Sequence, residues 1–127
     1  MNRFFIIFLP IFLFSTYINF PCTLTLKKDE KAVFDVYYKN FSHSFILWWT
    51  LYKNDVLTVI YIYDNFPHHI ELYKNYPVNS FKVKITDLVE PFPYFWIKFD
   101  SFNDENATFK IYLFNKKGVK VNFKGKE

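Results

Sequence analysis

The sequence predicts an all-β protein, a two-layer antiparallel β-sandwich preceded by an N-terminal hydrophobic helix. Three observations carry that prediction. After residue 22, nine short runs either alternate apolar and polar residues or are apolar throughout, with turn chemistry between them. Aromatic residues make up 24% of the chain, with 18 Phe and 10 Tyr, and such residues favour strands. No segment after residue 22 repeats its apolar residues every 3.6 positions, so no amphipathic helix is expected there.

Residues 23–27 alternate, with Leu24 and Leu26 on one face. The charged turn Lys28-Asp29-Glu30 leads into a second run at 33–38. Residues 45–52 (FILWWTLY) are apolar on both faces, the pattern of a central strand. Lys53-Asn54-Asp55 is turn chemistry, and 56–63 (VLTVIYIY) follows at once, which makes the clearest hairpin in the chain. Residues 64–67 end that strand, and a short one follows at 70–73. Residues 75–80 form a loop holding Pro77. At 81–85, FKVKI alternates cleanly, apolar inward and lysine outward. Pro91 and Pro93 make 90–93 a loop or an edge. Runs at 95–99, 108–114 and 119–123 complete the set, the last two joined by the turn Asn115-Lys116-Lys117-Gly118. With only two glycines, the tight turns must draw on Asn, Asp and Lys.

No repeat or linker interrupts residues 22–127, so they read as a single all-β domain. A domain of that size buries roughly two-thirds of its unfolded surface and folds without metal or disulfide. A barrel is the second arrangement open to such a pattern. An immunoglobulin-like topology is one option among sandwiches. The Cys…Trp…Cys signature of immunoglobulin domains is absent, because Cys22 is the only cysteine.

Residues 1–21 read as a signal peptide or an N-terminal membrane anchor. Arg3 supplies the positive charge. Residues 4–14 (FFIIFLPIFLF) form an apolar run of signal-peptide length, too short to span a hydrocarbon layer of ~30 Å. No A-x-A cleavage pattern follows, and Ser15 is the best small residue there. Counting Tyr17, Ile18 and Phe20, residues 4–20 just reach spanning length, which is the anchor version. Cys22 follows the apolar run as lipidated cysteines do. Asn19-Phe20-Pro21 is no lipobox, however, so Cys22 reads as a small hydrophobe at the domain edge. The expected location is the periplasm or cell surface, with membrane contact only through residues 4–20 if they are retained.

Net charge is +4 and the pI about 9.0. Arg3 is the sole arginine, and the lysines are spread along the chain among acids. Nucleic-acid readout favours arginine forks, so nucleic acid is not the expected partner. The lysines read as solvated strand faces, with weak contact to an anionic membrane or glycan surface as the next reading.

Asp104-Glu105-Asn106-Ala107-Thr108 is the most specific functional signal. Asn106 and Thr108 form N-x-[ST], the acceptor pattern for N-glycosylation of exposed loops. With Asp104 two residues upstream, the stretch resembles the extended acceptor of bacterial periplasmic N-glycosylation, and it falls in an expected polar loop at 101–107. Asn40, in Asn40-Phe41-Ser42, is a weaker sequon without the acid. His68, His69 and Glu71 are the only local metal candidates, and a weak set, because neighbours on a strand point to opposite faces. No metal site and no cofactor are expected. Ser42 and Ser44 flank His43 without a nucleophile motif, and acid pairs such as Asp29/Glu30 sit in charged turns. No catalytic constellation is expected.

A hairpin turning on Asn54-Asp55 would put Trp48 opposite Tyr61, Ile46 opposite Tyr63 and Tyr52 opposite Leu57. Trp49 would meet Ile60, and Leu47 would meet Ile62, on the other face. The face holding Trp48, Tyr52, Tyr61 and Tyr63 is then a candidate binding face, since Tyr and Trp are favoured at such surfaces. One residue more or less would exchange the faces. The leading functional expectation is an exported, non-enzymatic binding or structural module with a protein or glycan partner in the cell envelope. The alternatives are a small secreted enzyme or enzyme inhibitor, and a membrane-anchored accessory subunit.

Overall fold

Short alternating runs joined by two-residue turns pair with their neighbours before any distant partner can, and the architecture follows that rule. The structure, a computed structural model, describes residues 17–75 and 77–127. It contains nine strands: β1 (Cys22–Lys27), β2 (Ala32–Tyr38), β3 (Phe41–Lys53), β4 (Val56–Tyr63), β5 (Phe66–Tyr73), β6 (Ser80–Lys84), β7 (Tyr94–Asn103), β8 (Asn106–Phe114) and β9 (Val119–Lys126). They form two antiparallel sheets packed as a sandwich, one ordered β1-β8-β7-β6 and the other β5-β4-β3-β2-β9. The doubly apolar run 45–52 lies in β3, the centre of the five-stranded sheet, as its pattern requires.

The sheet order corrects the immunoglobulin-like option. β2 to β5 form one meander and β6 to β8 another, with β9 and β1 completing the sheets. Immunoglobulin sheets instead seat non-consecutive strands side by side. Tight turns explain the difference. Asn54-Asp55, Asp64-Asn65 and Asp104-Glu105 each hold both residues at positive φ, between 51° and 68°. That is the type I′ arrangement, which keeps consecutive strands in one sheet.

Two expected breaks are shorter than the sequence suggests. The stretch 64–67 contributes only Asp64-Asn65 to a turn. Pro67 already pairs with Ile62 on β5, an edge strand where a missing N–H is tolerated. The expected loop 101–107 contracts to Asp104-Glu105, because β7 runs to Asn103 and β8 starts at Asn106.

Every fully enclosed side chain among the described residues is apolar or aromatic. Phe45 of one sheet stacks on Phe95 of the other at 5.2 Å and 11°, and Tyr61 stacks on Phe81 at 5.2 Å. The buried Trp49 indole donates to the Leu26 carbonyl at 2.8 Å, joining the layers by a hydrogen bond. Burying each such large side chain contributes roughly 1.5–3 kcal/mol relative to exposure.

The expected N-terminal helix lies almost wholly outside the described residues, which contain no helix. No helix there is long and apolar enough to cross a membrane. Residues 17–21 are seated on the sandwich. Tyr17 bridges to Asn122, Ile18 N–H donates to Val121 O at 2.9 Å, and Phe20 packs on Phe95 at 5.9 Å.

Candidate functional site

The β3–β4 hairpin turns on Asn54-Asp55, and Tyr52 faces Leu57 as expected. A bulge between Trp49 and Leu51 then shifts the register by one. Trp48 pairs with Ile60, Leu47 with Tyr61, and Phe45 with Tyr63. The candidate face of Trp48, Tyr52, Tyr61 and Tyr63 is therefore divided. Tyr61 is buried, and Tyr52 and Tyr63 pack on the core beside it. Only Trp48 points outward, with Lys31 Nζ 4.8 Å above its ring. The outward side carries Ile46, Trp48, Ile60 and Ile62, the aliphatic side with a single Trp. Burial pushes the Tyr63 phenol up, with Asp64 beside it adding to the effect, and its hydroxyl donates to Ile85 O at 2.8 Å. The Tyr52 hydroxyl donates to Asp55 at 3.1 Å.

The surface rich in Tyr and Trp lies on the other sheet. Along β7, Phe95, Ile97 and Phe99 point inward, which turns Tyr94, Trp96 and Lys98 outward. Along β8, Phe109 and Ile111 point inward, which turns Thr108, Lys110, Tyr112 and Phe114 outward. The register then builds rows across the sheet. Lys84, Tyr94 and Phe114 form one, Lys82, Trp96 and Tyr112 the next, and Ser80, Lys98 and Lys110 the third. Trp96 and Tyr112 are 5.1 Å apart, centroid to centroid, and Tyr94 and Phe114 5.3 Å at 24°. Phe92 extends the cluster, 5.7 Å from Tyr94.

Lysine borders this platform. Lys82 Nζ sits 5.0 Å over the Tyr94 ring and Lys84 Nζ 4.6 Å over Phe92, which are cation–π contacts. Lys98 and Lys110 face each other directly. The three rows contain no Asp or Glu. The nearest carboxylate along β7 is Asp100, beyond Lys98 at a second bulge. Among the described residues, none of these four lysines is in an ion pair. The period-two spacing Tyr94-x-Trp96-x-Lys98 and Lys110-x-Tyr112-x-Phe114 is the sequence signal for this face.

Asn106 begins β8 on the same outward side, pairing with Asn103 and Lys27. Its amide donates to Asp104 O at 3.1 Å, and the Thr108 hydroxyl meets that of Thr25 at 3.1 Å. The sequon is thus the first turn of a paired strand rather than a free loop. Asn40, the weaker sequon, lies in the exposed β2–β3 turn.

The histidines do not converge. His69 Nε2 contacts Glu71 at 3.0 Å on the outward side of β5, while His68 stacks on Tyr61 at 4.6 Å on the inward side. No group of three metal-ligating side chains occurs among the described residues. His43 Nδ1 is 2.8 Å from Asp64, and its ring lies 4.3 Å from Phe41. The pair lines a groove of about 740 Å³ with Phe66, Lys84 and Thr86. Cys22 is half-buried in β1, and burial pushes its thiol up.

Compared with known proteins, the chain matches no family model, and neither a curated protein nor a solved structure shows significant similarity to it.

Proposed function

We propose that the protein is an exported, non-enzymatic binding module of the cell envelope that engages its partner with the outer face of the four-stranded sheet. The observation that carries this reading is the cluster Phe92, Tyr94, Trp96, Tyr112 and Phe114 on one open face. Its rings are in van der Waals reach of one another, and lysines border it. Aromatic side chains supply large contact area at low conformational cost, which is why binding surfaces favour them. Folding of the sheet alone gives no reason to turn Trp and Tyr toward solvent. Modification at Asn106 is part of the proposal: a glycan there would stand on the same side of the sheet, beyond Lys110 and Thr108.

A photo-cross-linking side chain tests the reading in the natural host, placed at Phe114 and, as control, at Leu51 on β3. Both positions are exposed, at 40% and 50%. Adducts from position 114 and none from 51 are expected. Adducts from 51 alone, or from neither, would remove this face as the binding surface. Intact mass of wild type and Asn106→Gln checks the glycan.

The anchored accessory-subunit reading has one observation in its favour. Tyr17, Ile18 and Phe20 are integral to the sandwich, so a retained run at 4–14 would join the domain through only Ser15 and Thr16. Fractionation into membrane and soluble extracts separates the two readings.

A further inference from the structure

We infer that the ligand of this face is an acidic polysaccharide, a glycan chain bearing carboxylate or sulfate groups. The inference rests on the face being the binding surface. Shape is the first argument. The rings form a shallow platform across β7 and β8, open along the sheet. The rings pack side by side, Tyr94 stacked on Phe114 and Trp96 against Tyr112, so they form a continuous apolar strip in which only Phe114 is exposed and the others are half-buried. A pyranose ring offers a flat patch of C–H groups that can pack on such an apolar strip while its hydroxyls stay in water, and it needs no separate open ring face to do so. Successive sugars of a chain can use the two successive aromatic rows.

Charge is the second argument. Lys82 and Lys84 border the platform along β6, and Lys98 and Lys110 close one end of it. No acid lies in these rows, whereas the chain as a whole carries 12 acids against 16 bases. The Lys98–Lys110 pair places like charges opposite each other, which destabilises a sheet, and an anion seated between them relieves the repulsion. Lysine is a flexible point charge, suited to carboxylates spaced along a chain rather than to planar bidentate recognition.

Two other polyanions fit less well. Single-stranded nucleic acid stacks its bases on separate, open aromatic faces. Here the rings are already packed on each other at 5.1 and 5.3 Å. A bilayer surface favours aliphatic and aromatic tips that insert, whereas four of the five rings here are half-buried and lysine ammonium groups lie over two of them.

Affinity electrophoresis and calorimetry of the protein purified from its host test the inference. Polygalacturonate and heparin serve as acidic probes and dextran as the neutral one, with an oligothymidylate and phosphatidylglycerol vesicles alongside. At least one acidic polysaccharide is expected to bind, more weakly as salt rises, and dextran is not. Trp96→Ala and the Lys82→Gln/Lys84→Gln pair should each weaken binding about tenfold. The lysine pair is exposed, so its variant should keep a cooperative melt with only the small shift that two surface cation–π contacts allow, and a tenfold loss of binding is then not a loss of fold. Equal binding to dextran, or preference for the oligonucleotide or vesicles, would overturn the acidic-polysaccharide assignment. So would failure of both acidic probes while the cross-link at 114 persists, and that result would leave the binding face standing. Failure of the probes together with the cross-link would remove both.

Discussion

Lys98 on β7 and Lys110 on β8 stand directly opposite each other on the solvent side of the four-stranded sheet, two ammonium groups in one cross-strand pair. Opposite charges at such a position stabilise a sheet and like charges weaken it. Lys98 is also half-buried, so its charge is less screened than that of a free surface lysine. Stability and binding should therefore move in opposite directions here. Lys98→Glu is expected to raise stability by roughly 0.2–1 kcal/mol in denaturant melts, and to weaken retardation by acidic polysaccharide. A variant that is less stable than wild type would show that the pair is not repulsive in solution.

Glu105 gives the second prediction. It occupies the second position of a type I′ turn at φ 64°, with Asp104 before it at 51°. Left-handed backbone costs an L-residue about 1–2 kcal/mol, and glycine avoids that at the cost of its own flexibility. Glu105→Gly should stabilise the protein by about 0.5 kcal/mol or more. The acceptor residues Asp104, Asn106 and Thr108 stay in place, so glycan occupancy should be unchanged. Equilibrium unfolding checks the first expectation and intact mass the second.

All nine strands are legible in the sequence, because an alternating or doubly apolar run between turn residues has few other uses. Val56–Tyr63 even has its bounds written there, by Asn54-Asp55 on one side and Asp64-Asn65 on the other. The side each strand shows is harder to read. The bulge at Trp49/Leu51 adds one residue to β3, and nothing in FILWWTLY marks it. Past that point every expected pairing slips by one, which buries Tyr61 and turns Ile60 outward. The β7–β8 platform needs no such luck, since its alternation is plain. A face is nevertheless recognisable as binding surface only when its rows are aligned, and alignment depends on the second bulge, at Phe99/Ser101. Ile18 and Phe20 read as the tail of the apolar leader for a related reason. Hydrophobicity alone does not say whether a side chain is bound for a translocation channel or for Phe95.

Tyr63 connects the layers through its hydroxyl, which donates to Ile85 O at 2.8 Å. Burial, and after it the neighbouring Asp64 charge, raises its pKa above the ordinary value of 10.0. A group that holds its proton more tightly when folded adds stability that is complete below its unfolded pKa. That stability is lost as pH climbs from there through the folded value. Unfolding should therefore become steeply easier above about pH 10. Tyr63→Phe should cost about 1 kcal/mol at neutral pH, from the missing hydrogen bond, and should flatten the alkaline loss. If the variant and wild type fall off in parallel above that pH, the group responsible is another one.

Phe20 bears on where the mature chain starts, if the leader is removed. Its ring packs on Phe95, which itself stacks on Phe45 at the middle of the sandwich. Two residues earlier, Ile18 N–H donates to Val121 O along the β9 edge. Cleavage just before Cys22 would remove both contacts, uncover Phe95 and leave the Val121 carbonyl without its partner. Cleavage before Tyr17 would remove neither, and Ser15, the best small residue of the region, lies on that side. N-terminal sequencing of the protein from its host should therefore find Tyr17 inside the mature chain. Phe20→Ala should cost about 2 kcal/mol, less than the ~3–5 kcal/mol of a fully buried Phe because this ring is half-buried. A chain that starts at Cys22 and melts at the same temperature as one starting at Thr16 would make residues 17–21 dispensable packing rather than part of the fold.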